Sequence, residues 1–364
     1  MKCKQLGFLV SFLLVLSISS QIVSAFGIGD VIGIENRTIN QLIIIGIICF
    51  SIMMISAHFL EREAEKIGAY LGSVIGIMMV AAMTSVPELA VALNSAFSNH
   101  IELAVGTIIG SNIANIALVL GMAAILRPVE IEKGFFKSIF AFIVILVGLV
   151  VILFNLRIIP PTFIASRVSE MAMFGQEGII MIMFFVLYIL FSNFIMGKKE
   201  IEEEKEKSGQ LSRHILLVAI LGLTIWFLAE LTVTTTIKIA EFYNISELII
   251  GVVILAVGTS LPEIGVTLVG VIKKKYDFII TDLIGSNAFD MAVCLGLASF
   301  IVPVTISKEV LYFHIPFLIF VNFLTMILIM KNFISRKSGF ILLSVYLVYI
   351  LLTFVGITKF LPIY

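Results

Sequence analysis

The sequence predicts an all-α integral membrane protein of about ten transmembrane helices, arranged as two inverted five-helix repeats. Three observations predict it. The chain of 364 residues is 60% apolar and only 13% charged, with a mean hydropathy of +1.16. Several apolar runs exceed the roughly 18 residues that mark a membrane-spanning helix. A block at 76–133 returns at 251–308 without a gap: TSVPEL at 84–89 reappears as TSLPEI at 259–264, and GSNIAN at 110–115 reappears as GSNAFD at 285–290. Both motif pairs are separated by the same 175 residues. The formal net charge is zero, which leaves no nucleic-acid footprint. Cys3, Cys49 and Cys294 are scattered and form neither a disulfide framework nor a metal-ligand spacing.

Residues 1–25 have the layout of a signal peptide or an anchor: Lys2 and Lys4, an apolar stretch at 6–18, then Val23-Ser24-Ala25. Five membrane segments follow, near 39–58, 69–97, 102–126, 135–155 and 177–196, so that the first repeat occupies 39–197. The charged run KKEIEEEKEKSGQ at 198–210 reads as a solvated linker. The second repeat, 211–364, has segments near 213–233, 245–270, 278–302, 311–330 and 339–359. Lysine and arginine concentrate in loops after odd-numbered segments (Arg62, Lys66, Arg127, the 198–213 cluster, Lys273–Lys275, Arg336) and are sparse after even-numbered ones. The positive-inside rule therefore puts the linker in the cytoplasm and the mature N-terminus outside the cell membrane. Five is odd, so the second repeat enters from the opposite side, which makes the repeats inverted.

The second segment of each repeat is long and carries Pro87 or Pro262 near its middle. Proline lacks an N–H and clashes with the preceding turn, so each segment is predicted to bend or break there and to free backbone carbonyls. Thr84, Ser85, Thr259 and Ser260 add hydroxyl oxygens on the preceding turn. Glu88 and Glu263 add carboxylates at the same depth. A charged residue at the bilayer centre costs roughly 2.5–3.5 kcal/mol on insertion scales, so two at matching positions mark a functional site. In the third segments, Ser111 and Asn115 are four apart and share a helix face, and Ser286 and Asp290 repeat the spacing. Gly110 and Gly285 allow close helix approach. Inverted repeats bring such groups together at the membrane midplane. The sum is an all-oxygen set suited to hard cations such as calcium, which takes about 6–8 oxygen ligands. Sodium accepts the same ligand types. No His/Cys set lies nearby to recruit zinc or copper. The site chemistry favours cation exchange without fixing the ions.

The duplicated TSxPE and GSNxxN/D motifs resemble the α-repeats of the cation/calcium exchanger superfamily, and its sodium/calcium exchanger branch in particular. The resemblance covers the repeat cores closely and the ten-span layout loosely. It implies a secondary antiporter exchanging calcium for sodium by alternating access. The implied partners are those ions and the lipid bilayer, with no cofactor. By the same resemblance, Glu88 and Glu263 are central acidic ligands, and Asn115 and Asp290 are paired third-segment ligands. Thr84, Ser85, Ser111, Thr259, Ser260 and Ser286 match sodium-coordinating hydroxyls, and Ala81 and Ala256 match carbonyl donors. More than two sodium ions per calcium are implied, hence net charge movement. The alternative is an antiporter of this fold with proton or potassium coupling, or with another divalent metal. Two departures are visible. Met83 stands where the family usually has glycine, whereas the second copy keeps Gly258. Thr281-Asp282 stands where a Gly-Asn pair is common.

An intramembrane enzyme would need distinct acid and base roles. Here Ser, Thr and Glu are duplicated almost symmetrically, which suits alternating access. No ATP-binding motif is present, so coupling to a gradient is expected. Glu102 and Asp277 begin their segments and read as charges at helix N-termini. His58, His100, His214 and His314 read as interfacial, Asn94 as a helix-packing hydrogen bond, and Asp282 as a candidate lining of the cytoplasmic entrance.

Overall fold

The spanning segments carry apolar side chains all round, so they bury one side against neighbours and offer the other to lipid. The computed structural model describes residues 37–71, 82–130, 171–196, 211–329 and 333–355. The leader at 1–25, the fourth segment at 135–155 and the linker at 198–210 lie outside the described residues. Among the described residues, seven helical stretches are long and apolar enough to cross a membrane, and Val86–Phe97 and Gly175–Leu187 are shorter apolar helices. The protein is a mostly helical membrane protein built from two inverted repeats.

Helix α1 (Ile39–Leu71) and helix α6 (Leu211–Tyr243) open the two repeats with 33 residues each. At 1.5 Å per residue each is about 50 Å long, well beyond the ~30 Å hydrocarbon core. Both overrun the spans read from hydropathy. Hydropathy marks where lipid ends, whereas helix α1 continues into water, where Lys66 donates to Glu63 (2.6 Å) one turn away. The two helices pack along their length, with Met53, Ala57 and Leu60 on one side and Ile225, Ala229 and Val233 on the other all fully buried. The opposite face of α1 shows Ile44, Ile47, Ile52 and Ile55, as a lipid contact requires.

The second segment of each repeat is a broken helix. In the first repeat a helical turn at 82–84 stops at Ser85 and α2 (Val86–Phe97) restarts. In the second, α7 (Glu247–Ile250), a π-helical turn at Gly251–Leu255 and α8 (Ala256–Thr259) stop at Ser260, and α9 (Leu261–Ile272) restarts. Third segments follow: α3 (Ile101–Ile113), a π-helical turn at Ala114–Val119 and α4 (Leu120–Leu126), matched by α10 (Tyr276–Phe289), a π-helical turn at Asp290–Cys294 and α11 (Leu295–Ile301). Helices α5 (Gly175–Met196), α12 (Ile315–Ile329) and α13 (Arg336–Val355) complete the described bundle.

Close packing centres on the third segment of the first repeat. A β-carbon on Gly106 would sit 2.6 Å from the Leu248 carbonyl oxygen, and one on Gly110 would sit 2.7 Å from that of Val252. One on Gly251 would meet the Leu103 carbonyl oxygen at 2.7 Å. Backbone therefore lies on backbone between α3 and the first half of the second broken helix, as small residues permit.

Two short antiparallel ribbons join the halves, an element the hydropathy pattern did not announce. Strand β1 (Val129–Glu130) pairs with β4 (Phe333–Ile334), and β2 (Met171–Met173) pairs with β3 (Val304–Ile306). Val129 and Val304 are repeat mates, so each ribbon joins the end of one repeat's third segment to a strand of the other repeat. The same crosswise logic places Gly121 against Gly339 and its mate Gly296 against Gly178. A contact from the first half to the second that recurs with the halves exchanged is the signature of a two-fold relation.

Candidate functional site

The site begins with two breaks of nearly identical geometry. Ser85 has φ −82° and ψ 9°, and Ser260 has φ −80° and ψ 6°, both in the sparsely populated bridge region. The breaks fall two residues before the prolines. Pro87 and Pro262 sit in the first two positions of the new helices, where a missing N–H costs nothing. Glu88 and Glu263 then lie in the first turns of α2 and α9. The free N–H groups and the positive end of the helix dipole favour a carboxylate there.

Both carboxylates are fully buried. Among the described residues neither accepts a hydrogen bond of ordinary geometry. The hydroxyls beside them are Thr259, from the opposite repeat, for Glu88, and for Glu263 Thr84 from the opposite repeat with Ser286 from the third segment of its own. Glu88 is close enough to Glu263 and Asp290 for the three to repel one another. Thr84 Oγ1 and Ser286 Oγ, 3.1 Å apart, share a hydrogen bond across the repeats.

Asn115 and Asp290 both fall within π-helical turns, Asn115 in the first repeat and Asp290 in the second. Such turns swing a side chain out of the ordinary α register and recur at functional sites. Asp290 Oδ2 accepts from Ser111 Oγ and Asn112 Nδ2, each at 3.2 Å. Asn115 Nδ2 donates to Asn287 Oδ1 at 3.0 Å, and Asn287 Nδ2 donates to the Asn112 carbonyl at 3.1 Å. Asn112 and Asn287 are themselves repeat mates, so Asn112–Asp290 and Asn287–Asn115 are one contact seen twice. Asn112 and Asn287 are the asparagines of the two GSN triplets and lie outside the site residues expected from the sequence. The duplication was the signal that could have found them.

The structure thus brings Glu88, Glu263, Asp290, Asn115, Thr84, Ser85, Thr259, Ser260, Ser111 and Ser286 into one fully buried zone. The Ala256 carbonyl accepts from the Ser260 N–H (3.2 Å) at the second break. Ala81 lies outside the described residues. Among the described residues no three His, Cys, Asp or Glu side chains draw close enough to hold a metal ion by themselves. The other oxygens gathered here belong to hydroxyl, amide and backbone groups.

The remaining readings divide. Asn94 donates to the Ala90 carbonyl (2.9 Å) and reaches the Trp226 carbonyl (3.4 Å), as a packing residue should. His58 is exposed. His100 bonds Glu247 at 2.6 Å between the repeats, and His214 bonds Glu63 between α1 and α6. His314, near the start of its segment, is fully buried, and its Nδ1 pairs with the Tyr349 hydroxyl at 2.8 Å. Asp282 is fully buried on α10, one turn before Ser286.

A helical bundle of inverted repeats, with broken helices meeting at a buried oxygen-lined centre, is the architecture of a secondary transporter. The chain belongs to the sodium/calcium exchanger protein family, whose model matches residues 41–194 and 213–355. It is 26% identical over 351 residues to the sodium/calcium exchanger MaX1 of Methanosarcina acetivorans, covering 87% of this chain and 99% of that one. It is 30% identical over 249 residues to the inner membrane protein YrbG of Escherichia coli, covering 63% and 70%. Among solved structures it resembles the sodium-calcium exchanger NCX_Mj soaked with sodium and strontium ions. That match has a TM-score of 0.62 at 25% identity and covers 85% of this chain and 98% of the other.

Proposed function

We propose that the chain is a secondary antiporter that exchanges calcium for sodium by alternating access at this one composite site. The observation that carries the reading is the pair Glu88 and Glu263. Two carboxylates are fully buried at matched helix breaks, in mutual range, and neither is neutralised by a hydrogen bond of ordinary geometry among the described residues. Buried charge of one sign requires a counter-charge or a proton, and a transported cation is the counter-charge that this reading supplies. A calcium ion between them supplies two positive charges and accepts flexible oxygen coordination. Several sodium ions supply the same charge, and neutral oxygens suffice for each. Thr84, Ser85, Ser111, Thr259, Ser260 and Ser286 add such oxygens around the acids, and the family resemblance adds the carbonyls of Ala81 and Ala256 as further ligands. Asn115 and Asp290 complete the set. The two ions then compete for one set of ligands, which is what couples their movements. The names of MaX1 and NCX_Mj agree with this choice of ions.

The orientation that follows from the basic loops places 198–210 in the cytoplasm and the mature N-terminus outside the cell membrane. The test is calcium-45 uptake by proteoliposomes loaded with sodium and diluted into sodium-free buffer, with potassium and proton gradients imposed separately. Uptake driven by the sodium gradient alone is expected. Uptake that ignores sodium and follows a pH gradient would instead establish proton coupling on the same fold.

A further inference from the structure

Helix α1 passes beside the second break, and the ring of Phe50 lies over Gly258, the residue just before Thr259. A β-carbon on Gly258 would stand 1.9 Å from Phe50 Cζ, 2.6 Å from Cε1 and 3.0 Å from Cε2. The ring therefore fills the space any side chain at 258 would need. Phe50 is half-buried and packs against the apolar core, so the ring is held in place from behind. The first repeat has no such vacancy at the corresponding position. Met83 stands there and is itself buried. In a pair of breaks matched to within a few degrees, a methionine side chain occupies this position at the first and the Phe50 ring occupies it at the second.

The backbone under the ring is soft by construction. A π-helical turn at Gly251–Leu255 precedes it, glycine sits within it, and Ser260 adopts the bridge region after it. We propose that Phe50 is a positioning residue for sodium: its ring, seated on Gly258, holds the Thr259–Ser260 turn in the geometry that presents its hydroxyls to an ion. The inference rests on the reading of the site given above. Sodium bears the consequence more than calcium. A neutral hydroxyl acts on an ion through a dipole, whose pull falls faster with distance and angle than that of a full charge. Calcium leans on the carboxylates of Glu88 and Glu263, which begin separate helices after the breaks.

The test uses the full chain in proteoliposomes and reads the sodium and calcium concentrations for half-maximal exchange, with thermal stability measured on the same preparations. Phe50→Ala and Gly258→Ala are each expected to raise the half-saturating sodium about fivefold or more, the coupling seen between touching residues, and to move the calcium value by less than about twofold. In the double variant the alanine methyl takes the place of the ring tip, and the sodium value returns to within about twofold of the parent. If Gly258→Ala fails to assemble, Phe50→Leu carries the test: it shortens the wedge without a clash and is expected to raise the sodium value in the same direction. An unchanged sodium value in the single variants, a double variant no better than the worse single, or a loss of thermal stability without a sodium shift overturns the inference. Failure of the site reading looks different: the parent protein itself would show calcium flux indifferent to sodium.

Discussion

Glu88 and Glu263 carry the chemistry because of where the backbone restarts. Each is three residues beyond a serine in the bridge region and sits in the first turn of a new helix. Replacing either by glutamine keeps the shape and removes one charge from a site that must desolvate a divalent ion. Glu88→Gln and Glu263→Gln are each expected to cut calcium-45 flux by well over about tenfold, equivalent to more than ~1.4 kcal/mol. Asp290→Asn is expected to reduce flux less, since Asp290 is already engaged by Ser111 and Asn112. Parent-like flux in both glutamate variants would remove the site. These acids were legible in the sequence because a buried charge repeated at a fixed interval has no structural excuse. Asn112 and Asn287 were equally repeated but escaped notice, because an amide in a helix has ordinary packing uses and only the crossed partners reveal its place. The partner of His314 was hidden for a related reason: a position near a segment end gives no hint that Tyr349 comes to meet it.

At the scale of elements, the breaks were legible and their exact placement was not. Proline announces that a helix cannot continue, but the stop falls at Ser85 and Ser260, which leaves each proline as a helix starter. The π-helical turns that carry Asn115 and Asp290 have no local signature, since a single extra residue per turn is imposed by packing. Packing of α3 on the second broken helix is backbone against backbone, and Gly110 shows how little room it leaves. Gly110→Val would drive a side chain into the Val252 carbonyl and the Ala256 methyl. An overpacking cost of about 1–3 kcal/mol or more is expected, read as a lower melting temperature or loss of the folded peak in detergent. Gly265, on α9 beside the site, has nothing within 4 Å of a built β-carbon. Gly265→Ala is therefore expected to leave the melting temperature unchanged or raised, by up to about 1 kcal/mol of helix propensity. Equal damage from the two substitutions would contradict the packing described here.

For the whole molecule, the crosswise contacts matter more than any one of them. Thr84 with Ser286, Asn112 with Asp290, Asn287 with Asn115, and the two ribbons all join one repeat to the other. The two-fold relation was legible from the constant interval and the odd number of spans. The ribbons and the glycine crossings were not, because two or three residues of strand are set by what they meet. If more than two sodium ions move per calcium, each cycle shifts net charge, and one elementary charge is worth about 2.3 kcal/mol per 100 mV. Exchange in proteoliposomes is then expected to speed up or slow down with a potential set by potassium and valinomycin, and an indifferent rate would mean a neutral stoichiometry. In the proposed exchange the two halves build one site that both ions share, and calorimetric titration of calcium into the purified chain at graded sodium concentrations tests this most directly. One calcium per chain, displaced competitively by sodium and lost in either Glu88→Gln or Glu263→Gln, is the predicted result. Two independent calcium ions, one surviving in each variant, or binding that ignores sodium, would contradict it.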